Sequence, residues 1–533
     1  MKKRVLLFGL MILTVLSIFV GCSSKDKSSS EENDGNSEPS ENFNVDGYPV
    51  VDETITMTMF GRRQPAESKW QDMNFFQFME EKTNIEFEFN TPQAQGEDYE
   101  QKRDLVFASG PLPDVFFAAD LPDRQIVENG GNGILIPLED LIDEYAPNIK
   151  KALEENPDVE KSITSPDGHI YVVPRISTRL RMSFNGWHFN REWLEELDVE
   201  ELPETTDELY DLLSLFKDEY PDKTPLSANE IGQFGNSPIA SAFGFMPNGE
   251  HMMLKDDKAV YAPAQEEYKD YLEYMQKLYD EKLLDNNVFT PDLPKYRSEG
   301  AEGNIGLGVD GAPMTLYQFD DFNDTGKYPL LPPMTSPNND EKVVPKTTGM
   351  GKNAFAITKE NDHPEAAIRW VDYLYTEEGA QLAQVGEEGV GWEWNDDETE
   401  WDMLAKAPEG NNRAEFRASV VPVGPNVPYY MKQEWVEAEG IDNPYLQEMF
   451  EETYEPYAKD IFPDIYLTAD EEKEANRIYS DMDNYRDEMQ ANFITGKKSL
   501  DEFDDYVEQL KGIGMDEYVE IYQDAYDRWK EAE

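Results

Sequence analysis

TITMTMF, Thr54 to Phe60, alternates small β-branched residues with large apolar ones, the period of a strand with one face buried. The same signal returns at helix-sized intervals. Phe75 to Lys82 is a short amphipathic helical pattern and IEFEFN, from Ile85, alternates again. Tyr99 to Ser109 reads as a helix stopped by Gly110 and Pro111, and Asp114-Val115-Phe116-Phe117-Ala118-Ala119 is an apolar run of strand length. Strands separated by helices are joined by crossovers, so this stretch predicts parallel strands in a helix-covered sheet, an α/β architecture.

Toward the C-terminus the alternation continues. Gly133-Ile134-Leu135-Ile136-Pro137-Leu138 leads into a helix containing Leu141 and Ile142, and SPDGHIYVVPR (Ser165 to Arg175) is a Pro-Asp-Gly turn followed by a strand. Thr205 and Glu208 form a capping-box pattern ahead of Leu209, Tyr210, Leu212, Leu213 and Phe216. Tyr268, Tyr271, Leu272, Met275, Leu278 and Tyr279 make a helical stripe, and IGLGVDG (Ile305 to Gly311) is a buried strand. Asp362, His363 and Pro364 open a further helix, with Pro near its first position. The last hundred residues are rich in aromatic and acidic helical patterns, and no sequence repeat is present.

Toward the N-terminus the chain changes character. Lys2, Lys3 and Arg4 precede an apolar stretch from Val5 to Val20 and then Gly21 and Cys22, the layout of a secretory signal. The stretch is about 16 residues, short of the roughly 20 that a spanning helix uses. Phe19-Val20-Gly21-Cys22 resembles the bacterial lipoprotein cleavage box, which implies acylation of Cys22 and a two-chain membrane anchor. From Ser23 to about Asp46 the chain is Ser, Glu, Asn, Asp and Gly with almost no large apolar residue, a tether that cannot bury enough surface to order itself. Cys22 is the only cysteine, so the mature chain forms no internal disulfide and no thiolate zinc site.

About 485 residues follow the tether, too many for one compact core and suited to two or more lobes. The formal charge is −64, and removal of the three cations Lys2, Lys3 and Arg4 with the signal leaves −67. That field disfavours nucleic acid and anionic lipid, and also strongly anionic ligands unless a local basic cluster offsets it. The four histidines His169, His188, His251 and His363 show no metal-ligand spacing. A serine nucleophile elbow, a P-loop and a dinucleotide glycine fingerprint are absent. No cofactor is implied. DFNDTG, from Asp321, resembles the start of an EF-hand loop but has no Glu at its twelfth position, so a solvated loop is the expected reading and calcium a subordinate one.

The order of motifs resembles the family 1 extracellular solute-binding proteins of ABC importers, in particular their large oligosaccharide-associated lipoproteins. The resemblance is carried by FASGPLPDVFFAAD (Phe107 to Asp120), GILIPLEDLIDEYAP (Gly133 to Pro147) and DGHIYVVP (Asp167 to Pro174). It continues in FNREWLEELDVEELPETTDELYDLLSLFK (Phe189 to Lys217) and AITKENDHPEAAIRWVDYLYTEEGAQLA (Ala356 to Ala383). It implies a type II periplasmic-binding-protein fold, two α/β lobes joined by a hinge with a ligand cleft between them. The expected division is a signal at 1–21, a lipidated tether at 22–50, one lobe from 51–176 plus 303–347 and the other from 177–302 plus 348–533. The implied partners are a carbohydrate ligand, permease subunits and the membrane through the lipid anchor, with a monomer as the default state.

A sugar asks for aromatic faces and planar polar groups, and a ligand of an α/β sheet sits beyond the strand C-termini. Those criteria select Phe60 and Arg62 after the first strand, Asp120 after the FFAA run, Arg175 and Arg179 at the crossover, and Trp187 beyond it. They also select Asp310 and Tyr317 after the later strand, and Trp392 and Trp394 in a glycine-rich loop where indoles are hard to bury. Each has a plainer alternative: core packing for the aromatics, surface ion pairs for the arginines, a helix cap for Asp120. The rival readings are an exported glycoside hydrolase, which needs a carboxylate pair, and a peptide-binding or adhesion lipoprotein.

Overall fold

Period-two alternation at Thr54 to Phe60 becomes a strand whose Met57 and Met59 are buried while Thr56 and Thr58 face water. In the computed structural model, described for residues 42–178, 186–311, 313–319, 327–346, 349–394, 401–404, 413–432, 435 and 444–532, this is β1 (Ile55–Phe60). β2 (Ile85–Asn90) and β3 (Val115–Phe117) flank it in parallel, with the helices Asn74–Thr83 and Gly96–Ser109 as crossovers. Then come β4 (Val173–Ser177), β5 (Trp187–Phe189), β6 (Thr224–Leu226), the hairpin of β7 (Met252–Lys255) with β8 (Lys258–Tyr261), β9 (Ile305–Val309) and β10 (Val344–Lys346). β11 (Gly351–Ile357), the hairpin of β12 (Trp392–Trp394) with β13 (Trp401–Met403), β14 (Tyr430–Met431) and β15 (Ala458–Asp460) complete the strands among the described residues.

Two sheets carry two cores. The first has the order β14-β4-β11-β3-β1-β2 and the second β5-β9-β6. Met59, Phe75, Phe117, Val173, Phe355 and Trp370 belong to the first core. Trp187, Phe216, Leu307, Ile478 and Tyr518 belong to the second. The long C-terminal helices Ala469–Ile494 and Met515–Glu531 pack on the second core through Ala475, Ile478, Met482, Tyr518 and Tyr522.

These pairings correct the expected lobe boundaries. β9 lies between β5 and β6, so 303–346 belongs with the second lobe, and β11 pairs with β3 and β4, so 349–431 returns to the first. The two later strands exchange places relative to the sequence-based division. Both are short runs buried along their whole length, and such a run does not reveal its partner.

The crossings between lobes share one side. Gly351 pairs with Arg175, and a Cβ on Gly349 would stand 2.3 Å from the Ser177 carbonyl, so β4 ends where β11 begins. Because β11 is antiparallel to β3, that is also the carboxyl edge of β1 and β3. In the second sheet the chain re-enters at Trp187, which pairs with Val309 at the carboxyl end of β9. The strands on either side of both crossings therefore stand at the carboxyl edges of their sheets.

Candidate functional site

At the carboxyl edge of the first sheet, Arg62 and Asp120 come together as a 2.5 Å ion pair. The other carboxylate oxygen of Asp120 accepts from Asn426 Nδ2 at 3.0 Å, and the Arg62 guanidinium lies 5.2 Å from the centre of the Tyr99 ring. The backbone beneath is held in an unusual shape: Ala118 and Asp120 have φ of 46° and 47°, left-handed values that cost a non-glycine residue free energy. Their carbonyls are fully subscribed. The Arg62 N–H donates to Ala118 O at 3.2 Å, the Tyr99 hydroxyl to Ala119 O at 2.7 Å and Arg103 Nη1 to Asp120 O at 2.6 Å. Burial, then the charge on Asp120, pushes the Tyr99 hydroxyl above its ordinary range, so it remains a donor.

Beside this pair stands a second one that composition did not suggest. Lys352 Nζ lies 2.5 Å from Asp123 and 2.6 Å from Asp464. Burial pulls this ammonium down, but the two carboxylates outweigh it and hold Lys352 charged. Next to it, Asn353 donates to Leu121 O and Asp123 and accepts from the Tyr466 hydroxyl at 2.6 Å. A lysine opening the otherwise apolar run of β11 was the available signal. Asp123, Glu250 and Glu472 then line a cavity of about 250 Å³ between the two lobes. Burial, then Asp464, raises Glu250 to about 6; burial, then Asp123, raises Glu472 to about 7.

The second sheet's carboxyl edge carries Asp310, held by Arg297 through Nε at 2.8 Å and Nη2 at 3.1 Å. After β6, Ser227 donates to Asp285 at 2.8 Å. Asn229 Oδ1 is buried with no hydrogen-bond partner among the described residues.

Several expected site residues are packing residues instead. Phe60 is 1 % exposed and lies against Tyr99 and Phe116, because it points into the sheet's covered face rather than along the loop. Trp187 is 0 % exposed and tilts over Phe234 at 4.7 Å. Tyr317 is buried against Tyr328, its hydroxyl donating to His188 O at 2.9 Å. Trp392, expected on an open loop, is 7 % exposed: its indole N–H donates to Gly386 O at 3.1 Å, and the ring packs with Val385. Trp394 meets it edge-on at 5.3 Å and stays half-buried. Trp392 lines a cavity of about 600 Å³ with Phe78, Leu382 and Glu387. Glu387 N donates to Asn74 Oδ1, so this pair lies near the same carboxyl edge but on its helix side. Arg175 is half-buried on β4. Arg179 and the 321–326 loop weighed for calcium lie outside the described residues.

A family model described as "Bacterial extracellular solute-binding protein" matches residues 63–381. The fructooligosaccharide ABC transporter substrate-binding protein FusA of Streptococcus pneumoniae serotype 4 is 27% identical, over 99% of both chains. The polygalacturonan/rhamnogalacturonan-binding protein YtcQ of Bacillus subtilis is 22% identical, again over 99% of both. Among solved structures, an EF-hand mutant of the S. pneumoniae FusA in complex with fructo-nystose superimposes with a TM-score of 0.73 at 25% identity, covering 90% of this chain and 100% of that one. With two α/β lobes, polar carboxyl edges between them and a family match over more than half its length, this chain belongs to the bacterial extracellular solute-binding proteins.

Proposed function

We propose that this protein captures an oligosaccharide outside the cell and delivers it to the permeases of an ABC importer. The observation that carries the reading is the pair of carboxyl edges, Arg62–Asp120 on one lobe and Arg297–Asp310 on the other. Planar donors beside carboxylate acceptors suit vicinal hydroxyls, and the full-length likeness to a fructooligosaccharide-binding protein supports the same chemistry. Ligand bridging both edges favours the closed arrangement only to the extent that it binds it better than the open one. Cys22, acylated, anchors the protein on the outer face of the membrane, and the segment before the fold serves as its tether. A hydrolase would need two carboxyl groups flanking one glycosidic bond. Here Asp120 and Asp310 are each engaged by an arginine, which favours binding over cleavage.

Calorimetric titration of the mature protein with fructooligosaccharides, such as kestose and nystose, and with pectic fragments tests this. At least one class should bind with Kd on the order of 1 μM or tighter, and chromatography should return the sugar intact. Release of shorter sugars would transfer the protein to the hydrolases, and silence across the panel would remove the carbohydrate reading. Cys22→Ser should shift the protein from the membrane fraction to the medium; retention on the membrane would refute the lipid anchor.

A further inference from the structure

At the two carboxyl edges five described cations already have anionic or carbonyl partners. Arg62 is held by Asp120, Arg103 by the Asp120 carbonyl and Asp104, and Arg297 in bidentate fashion by Asp310. Lys352 is shared by Asp123 and Asp464, and Arg63 is bonded to Glu67 O and Gln93. Around them the acidic groups are in excess: Glu250 and Glu472 share the inter-lobe cavity with Asp123, in a chain of formal charge −64. A ligand carboxylate entering this cleft adds an anion beside part-buried aspartates, where carboxylates already outnumber the cations. A hydroxyl brings no charge. It donates to a carboxylate oxygen that still has a lone pair and accepts from a guanidinium N–H, and both partners keep their pairing.

We infer that the cleft selects uncharged oligosaccharides and rejects those built from uronic acids. The selection rests on the excess of carboxylates around engaged cations, which penalises an anionic ligand and leaves a neutral one untouched. It rests on the carbohydrate reading above and narrows it, since the relatives named include both a fructooligosaccharide binder and a polygalacturonan binder.

The test compares two pools on the wild-type mature protein: neutral oligosaccharides, including kestose and nystose, and oligogalacturonates of matched length. The best neutral ligand should bind at least about tenfold more tightly than any oligogalacturonate, with an affinity that barely changes between low and high salt because no net charge is neutralised. An oligogalacturonate binding as tightly as the best neutral sugar, or an affinity that falls steeply with salt, overturns the inference while leaving carbohydrate capture intact. Failure of both pools removes carbohydrate capture and this inference together. As a gain-of-function arm, Asp120→Asn with Asp310→Asn frees both guanidinium groups and should raise oligogalacturonate affinity over the wild type; an unchanged or lower affinity in a variant with native circular dichroism counts against the mechanism.

Discussion

His188, on β5, is buried with its Nδ1 2.8 Å from the Tyr328 carbonyl, and Nε2 has no partner among the described residues. Burial lowers its pKa to about 4. The unfolded chain therefore binds a proton below about 6.5 that the native chain refuses, so stability is lost as pH falls from about 6.5 through 4. The loss approaches roughly 3 kcal/mol at the acid end. His188→Asn, which keeps a donor near Tyr328 O, should flatten that part of the profile in urea titrations at stepped pH. An unchanged slope would place the acid sensitivity in the carboxylates instead. Gly61 poses a steric question at the same scale. A Cβ there would stand 2.2 Å from the Phe117 carbonyl and 2.3 Å from the Trp70 ring. Because the carbonyl is backbone in β3, it cannot swing aside, and Gly61→Ala should cost about 1–3 kcal/mol. It should also displace Arg62, weakening ligand binding more than thermal stability alone would predict; full affinity in the folded variant would contradict that.

Capping chemistry marks some element boundaries, and one of them differs from expectation. Thr205 caps the helix Thr206–Glu219 by accepting from the Glu208 N–H at 3.1 Å, but the Glu208 carboxylate reaches past the cap to the Glu204 N–H at 2.8 Å. Only half of the expected capping box is formed at the cap residue. Thr205→Ala should cost about 1 kcal/mol, seen as a lower urea midpoint at unchanged slope. Further along the chain, Thr468 and Glu471 form a complete box at the start of the helix Ala469–Ile494. The strand TITMTMF and the helix Asn74–Thr83 appear where the residue periodicity places them. The DVFFAA run is shorter as a strand, ending at Phe117, because Ala118 turns left-handed to form the cleft edge.

Across the whole molecule, the segment before the helix Ala469–Ile494 is shared by both lobes. Tyr466 sits in the first core, while Phe462, Ile465 and Leu467 sit in the second. Lys352 fastens that segment through Asp464 while also holding Asp123. Lys352→Met leaves two carboxylates facing each other near Glu250 and Glu472. The expected cost is about 3 kcal/mol, the low end for breaking a buried pair because Asp464 remains well exposed. That cost should shrink in acid, as the carboxyl cluster takes up protons, so urea midpoints of wild type and variant should converge between pH 8 and pH 5. A difference independent of pH would show that lost packing against Tyr466, not charge, dominates.

Strand and helix identity and the two-lobed α/β class follow from local periodicity and motif order, since each depends on residues near one another in the chain. Arg62 and Asp120 were each legible as residues that follow a strand, but their pairing was not, because it depends on β3 crossing to the far side of β1 from β2. Which lobe owns β9 and which owns β11 was decided only by tertiary structure. A fully buried strand presents the same pattern to any sheet, and its partner is chosen by pairing far along the chain. The same holds for Phe60, Trp187, Tyr317 and Trp392. An aromatic residue at a strand end or in a glycine-flanked loop suits a sugar face and a core equally well, and only the packing around it settles which way the ring turns.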